Sequence, residues 1–349
     1  MAYHATYPQR VSGSLLGGAL GDALGYTVER DSLEEIRTRF GPGGVTAPPE
    51  DGSPFVFSDD TQLTLYTVDG LVEALEWAND GVSADEMAIL WLAYLRWLAT
   101  QGETAPDPAP VPPPRWIDAQ EVLHHRRDPG NACLTGLLTG VMGTRKRPLN
   151  PQAKGSGALM RSAPFGLVPR IPGEMADRLT LDAAALTHGH PAAQTPAAVF
   201  SHLIRALALD GLGLEAAVES AVAHAGFLGD TELAGSLTAA AALAADGPVA
   251  PERLPDKLGR GWLAPEALSL AVYAALASAR PDPAEHFTAG VVLAVNHDGD
   301  SDTTGSVTGN ILGALYGEAA LPRPWLDRLD DTEVIRAVGS SLIKAATGE

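Results

Sequence analysis

Apolar side chains recur every three to four residues over most of the chain, the period of a helix with one buried face. Over 59–78 they fall at Leu65, Val68, Leu71 or Val72, and Leu75. Over 84–99 they fall at Met87, Leu90, Trp91, Tyr94, Leu95 and Leu98. Segments 196–209, 214–225, 231–245, 265–279 and 284–295 are rich in alanine and leucine with the same period. Pro265 suits the first turn of its helix, where a missing N–H costs nothing. Strict alternation is scarce, and only short pieces near 44–45 and 54–57 could be extended. The pattern predicts an all-α fold.

Two segments interrupt this pattern in the same way. Gly13, Gly17, Gly21 and Gly25 recur every four residues near one end, and Gly305, Gly309, Gly313 and Gly317 near the other. Each glycine costs a helix about 1 kcal/mol against alanine, so two such stripes need a reason. A bare stripe lets another backbone come close. The expectation is two tightly packed central helices that bring distant parts of the chain together. A membrane reading fails, because neither segment is a long apolar run. The longest apolar stretch, 268–279, falls short of the roughly 20 residues a membrane span needs. The proline-rich segment 100–116 could be a domain linker. Flanked by helices of similar composition, it is read as a surface excursion from one large domain, 1–349.

Composition narrows the partners. Hydrophobic residues make up 45% and charged residues 19%, as in a globular chain. The formal net charge of −19 argues against holding a nucleic-acid backbone or an anionic membrane by bulk charge. It leaves room for an anionic small ligand if bound cations reverse the field locally. Cys133 is the single cysteine, so no disulfide within the chain and no cysteine cluster is possible. The first ten residues carry no basic-then-apolar leader pattern, and a cytoplasmic setting is the expectation.

Four clusters could carry chemistry. Ser58-Asp59-Asp60-Thr61 has the composition of a helix cap, yet its adjacent carboxylates repel and would welcome a cation. Asn296 to Gly305 holds Asp298, Asp300 and Asp302 at alternate positions, like the start of a calcium loop. The EF-hand frame fails, with Thr303 where glycine is needed and Gly309 where glutamate is needed. What remains is either a capped helix start or an oxygen-rich loop suited to magnesium or manganese. His188 and His190 could ligate a metal, but no third nitrogen or sulfur ligand for zinc is evident nearby. Gly155-Ser156-Gly157 is either a tight turn or a cradle whose backbone N–H groups hold an anion.

Taken together the chain resembles the ADP-ribosylglycohydrolase family. The matching pieces are GGALGDALG (17–25) followed by Glu29, SDDTQ (58–62) and RRDPGNACLTGL (126–137). After them come GSGALMRSAPFG (155–166), THGHP (187–191) and NHDGDSDTTGSVTGNILGALYG (296–317), in the family's order over about 11–320. The resemblance implies an all-α fold around a site for two divalent cations, Mg2+ or Mn2+. It implies Ser58, Asp59, Asp60, Asp300, Asp302 and Thr303 as metal ligands, and Glu29 as a residue lying over the metals. It also implies Gly155, Ser156 and Gly157 as the diphosphate turn, and His188 as lining the ADP-ribose cleft. Ser156 stands where asparagine or cysteine is common.

The implied activity is hydrolysis of the bond from C1″ of ADP-ribose to an acceptor, with Glu29, Asp60 and Asp302 as the catalytic group. Such cleavage passes through positive charge on the sugar. The expected substrate is an ADP-ribosylated protein, linked through arginine or serine, or a small-molecule ADP-ribose conjugate. A member of the family that binds ADP-ribose or metal without catalysis would have eroded ligands, and all six positions here keep oxygen side chains.

Overall fold

The computed structural model describes residues 5–50 and 52–348. Met1–His4, the start of the stretch read above for a leader pattern, lies outside the described residues. The fold is helical throughout, and among the described residues the only β pairing is three isolated bridges. Among the described residues no helix is long and apolar enough to cross a membrane.

The two glycine stripes explain the centre. Helices Tyr7–Tyr26 and Ser301–Tyr316 run antiparallel in backbone contact. A methyl on Gly17 would fall on the Gly309 carbonyl oxygen, and one on Gly21 on that of Gly305. The converse holds for Gly309 against Gly17 and Gly313 against Gly13. The pairing inferred from the four-residue repeat is thus the core of the fold. Beside it, Ser14 Oγ donates to Asn310 Oδ1 at 3.2 Å, a buried polar pin that fixes the register.

Other helices wrap this pair. Thr332–Thr347 packs on Tyr7–Tyr26 and on Asp59–Asn79. Ala264–Ala277 and Pro283–Val295 pack on Ser301–Tyr316. Glu86–Thr100, Leu214–Phe227 and Thr231–Ala245 follow the expected segments closely. The helix expected from residue 196 instead spans Pro191–Ala208, with Pro196 inside it. Pro191 takes the first position and His190 Nδ1 accepts from Ala192 N at 3.0 Å, so the cap lies one turn earlier than Pro196 suggested. The pieces near 44–45 and 54–57 form no strand, and only Phe55 bridges to Leu329.

The 100–116 segment runs over the surface, with Ala105 and Ala109 packed against the core. Val111 is 94% exposed. Arg115 Nε then pairs with Asp69 at 2.9 Å, and its Nη2 with Glu76 at 3.1 Å, on helix Asp59–Asn79.

Candidate active site

The central helix pair brings one helix start and one helix end to one place, where a third helix also starts. Ser301–Tyr316 begins at the Asp300–Thr303 segment, and Tyr7–Tyr26 ends just before Glu29. Helix Asp59–Asn79 starts against the side of Tyr7–Tyr26, held there by Asp22. Asp22 is fully buried and accepts from Ser58 N at 2.8 Å, from Thr61 N at 3.0 Å and from the Thr61 hydroxyl. One helix therefore caps another, with a carboxylate at the positive end of the dipole. Sequence reasoning missed Asp22. Its signal was a lone charge inside the glycine-striped GGALGDALG segment. Asp22→Ala would strand these donors, at about 1–3 kcal/mol. A lower melting temperature in chelator, at unchanged helical content, is the expected result. An unchanged one would remove Asp22 as the organiser of this corner.

Each predicted residue can now be placed. Ser58 Oγ accepts from Asp60 N at 3.2 Å, so the capping role is real. Asp59 Oδ2 accepts from Gly130 N at 2.9 Å. Asp60 is buried, and its Oδ2 has no hydrogen-bond partner. Asp302 Oδ1 accepts from Thr303 N at 2.8 Å. Asp300 Oδ2 accepts from the Ser156 hydroxyl at 2.7 Å, which gives Ser156 a side-chain task. Glu29 is half-buried with Oε2 unpartnered. Asp298, the first aspartate of the alternating three, instead accepts from Leu33 N at 2.5 Å and anchors a neighbouring helix.

These carboxylates form one electrostatic unit. Asp302 is a charged neighbour of Asp22, Glu29, Asp59, Asp60 and Asp300 alike. Burial, then Asp302, pushes Asp22 up to about 7 and Glu29 up to about 8. Burial first also holds Asp59, Asp60 and Asp300 well above the usual carboxylate range and raises Asp302. Among the described residues, no lysine or arginine ion-pairs with any of the five aspartates. No three of these side chains converge as a formed metal cage in this structure. The donor set still fits hard cations: it is all oxygen, negatively charged, buried, and has an unpartnered oxygen at Asp60.

The glycine turn and His188 lie beside the cluster. Gly155 opens a three-residue 3-10 turn, Ser156–Ala158, that holds Ser156 and Gly157. A methyl on Gly157 would lie 3.2 Å from His188 Nε2 and 3.1 Å from Cys133 Sγ. His188 is buried while His190 caps its helix, so the two histidines part and form no zinc pair. Glu29, Arg30, Arg260, Trp262 and Asp298 line an open cleft of about 760 Å³ alongside.

Comparison with known proteins agrees with this architecture. The family model described as ADP-ribosylglycohydrolase matches residues 3–349. The ADP-ribosyl-[dinitrogen reductase] glycohydrolase of Rhodospirillum rubrum is 25% identical over 345 residues, covering 96% of each chain. The ADP-ribosylarginine hydrolase Tri1 of Serratia proteamaculans is 38% identical over 65 residues, which are 19% of this chain and 18% of that protein. A solved structure titled ADP-ribosylglycohydrolase-related protein complex superposes with a TM-score of 0.62 at 25% identity, covering 97% of this chain and 99% of the other. With a helical core built on paired glycine stripes and a matching profile over nearly its whole length, the chain belongs to the ADP-ribosylglycohydrolase family.

Proposed function

We propose that this protein is a metal-dependent hydrolase that cleaves the C1″ glycosidic bond of ADP-ribose attached to an acceptor, most directly an arginine or serine side chain of a protein. The observation that carries the reading is the buried carboxylate cluster at the meeting of two helix starts, with the Gly155–Gly157 turn against it. Ser58, Asp59, Asp60, Asp300, Asp302 and Thr303 would hold two cations, Mg2+ or Mn2+. Such ions, when bound, supply positive charge for the ribose hydroxyls and lower the pKa of water.

The chain's own residues do the rest. Asp22 and Ser156 fix the orientation of the Ser58–Asp60 and Asp300 ligands. Asp60 and Asp302 would contribute negative charge beside a sugar that becomes positive in the reaction. Glu29 reaches the cleft and the cluster together, where it can pass a proton or close over the sugar. The named activity of the Serratia proteamaculans relative, ADP-ribosylarginine hydrolase, makes arginine-linked ADP-ribose the first substrate to try. A panel of arginine-, serine- and nucleobase-linked ADP-ribose tests the reading. Release of ADP-ribose from one of them is expected, and inertness toward all of them with metal present would contradict it.

Glu29→Gln keeps size and hydrogen bonding. If Glu29 serves proton transfer or gating, single-turnover cleavage should fall by about 10²–10⁴-fold, with metal binding nearly unchanged. A rate within about twofold of wild type, as for an ordinary surface substitution, would remove Glu29 from the site.

A further inference from the structure

Arg161 is buried, 1% exposed, and among the described residues none of its partners carries charge. Its Nη2 donates to Thr187 Oγ1 at 2.8 Å and to the Ala183 carbonyl at 3.5 Å. Its Nη1 meets Cys133 Sγ at 3.6 Å, and its guanidinium lies 4.3 Å from the Tyr94 ring centroid. Burial raises the Cys133 thiol to about 11, so that sulfur is no counter-ion at neutral pH. A buried cation without a partner anion costs several kcal/mol in general. Something must offset that cost, and the surroundings point to what does.

Both neutral partners lead to the glycine turn. Cys133 Sγ sits 3.7 Å from the Gly157 carbonyl oxygen. Thr187 Oγ1 lies 2.8 Å from His188 Nδ1, and the far edge of that imidazole faces Gly157. Thr187 already accepts from Arg161, so its own proton is free to donate. Imidazole nitrogen is a better acceptor than a thiol sulfur. Donation of that proton to Nδ1 would leave the ring's one hydrogen on Nε2, toward the turn. Burial first, then Arg161, pushes His188 down to about 3, so the ring is neutral.

We infer that Arg161 is the positioning residue of the diphosphate subsite: an unpaired buried cation that acts through Thr187 to present His188 Nε2–H to a diphosphate seated on the Gly155–Gly157 turn. The anion brought by the substrate is then the missing counter-charge. The inference rests on the proposed ADP-ribosyl reading for the identity of the ligand, but the tautomer does not depend on it.

The test combines nitrogen-15 NMR of the His188 ring in the ligand-free protein with calorimetry of ADP and ADP-ribose at saturating magnesium. Thr187→Val removes the hydroxyl and keeps the shape, Thr187→Ser restores it, and Arg161→Met removes the charge. Wild type should show the Nε2–H tautomer. Thr187→Val should lose that preference and bind both ligands roughly tenfold more weakly, the scale of one lost hydrogen bond to a charged group. Thr187→Ser should recover both. Should Arg161→Met fail to fold, the Thr187 pair decides alone. An Nδ1–H tautomer in wild type, or unchanged ADP affinity in Thr187→Val, would overturn the inference while leaving the proposed hydrolysis standing. Thr187-dependent ADP binding without cleavage of any conjugate would uphold the subsite and sink the hydrolysis. Failure of wild type to bind either ligand would overturn both.

Discussion

Asp302→Asn is expected to lower ADP-ribose release by on the order of 10³-fold or more, the scale of losing preorganised charge stabilisation and its cation. Asp302 is the shared neighbour of every other carboxylate in the cluster, so its charge matters more than that of any one partner. Asparagine keeps the shape and can still accept from Thr303 N through Oδ1. The fold should survive. The sign of the stability change makes the prediction specific. Removing one charge from a buried set of like charges relieves repulsion, so in chelator the variant should melt above wild type. On adding magnesium or manganese, wild type should gain stability with the logarithm of concentration, because the ions bind the folded state alone. The variant should gain little. A variant that melts below wild type in chelator, and still responds fully to metal, would mean that Asp302 is a structural acceptor and not part of a cation site.

Gly309→Leu is expected to be the most damaging substitution to the fold. Overpacking usually costs about 1–3 kcal/mol because neighbouring side chains give way. Here the first added carbon meets the Gly17 carbonyl on the opposing central helix, and a backbone cannot rotate aside. The loss should exceed that range, although leucine gains about 1 kcal/mol in helix propensity. Gly309→Ala tests the same clash with one methyl and should also lower the melting temperature. Gly235 in helix Thr231–Ala245 is the control, since a methyl there meets nothing within 4 Å. Gly235→Ala should be neutral or stabilising by up to about 1 kcal/mol. Equal melting of Gly309→Ala and wild type would show that the two central helices can separate without cost.

The glycine repeats and the helical period were readable in the chain because both are local patterns with one physical meaning. Residues 231–245 and 59–79 needed only periodicity and a cap. Pro196 misled because a proline suits a first turn, whereas His190 and Pro191 had already capped and opened that helix. Helices Leu33–Phe40, Gly173–Ala185 and Thr332–Thr347 were not anticipated, although Val334, Ile335, Val338 and Leu342 carry the period of the last.

The site was legible in part. The aspartates announced themselves by density along the sequence. Asp22 and Arg161 did not, because their roles follow from burial against segments 36 or more and 22 or more residues away. Ser156 likewise reads as a turn residue until Asp300, 144 residues distant, is placed against it.

The most direct measurement is ADP-ribose release from an arginine-linked conjugate by one protein preparation in three states: as purified, in excess chelator, and after magnesium or manganese is restored. The account predicts that release stops in chelator and returns with the added ion. Full turnover in excess chelator, with the conjugate still cleaved at C1″, would contradict it.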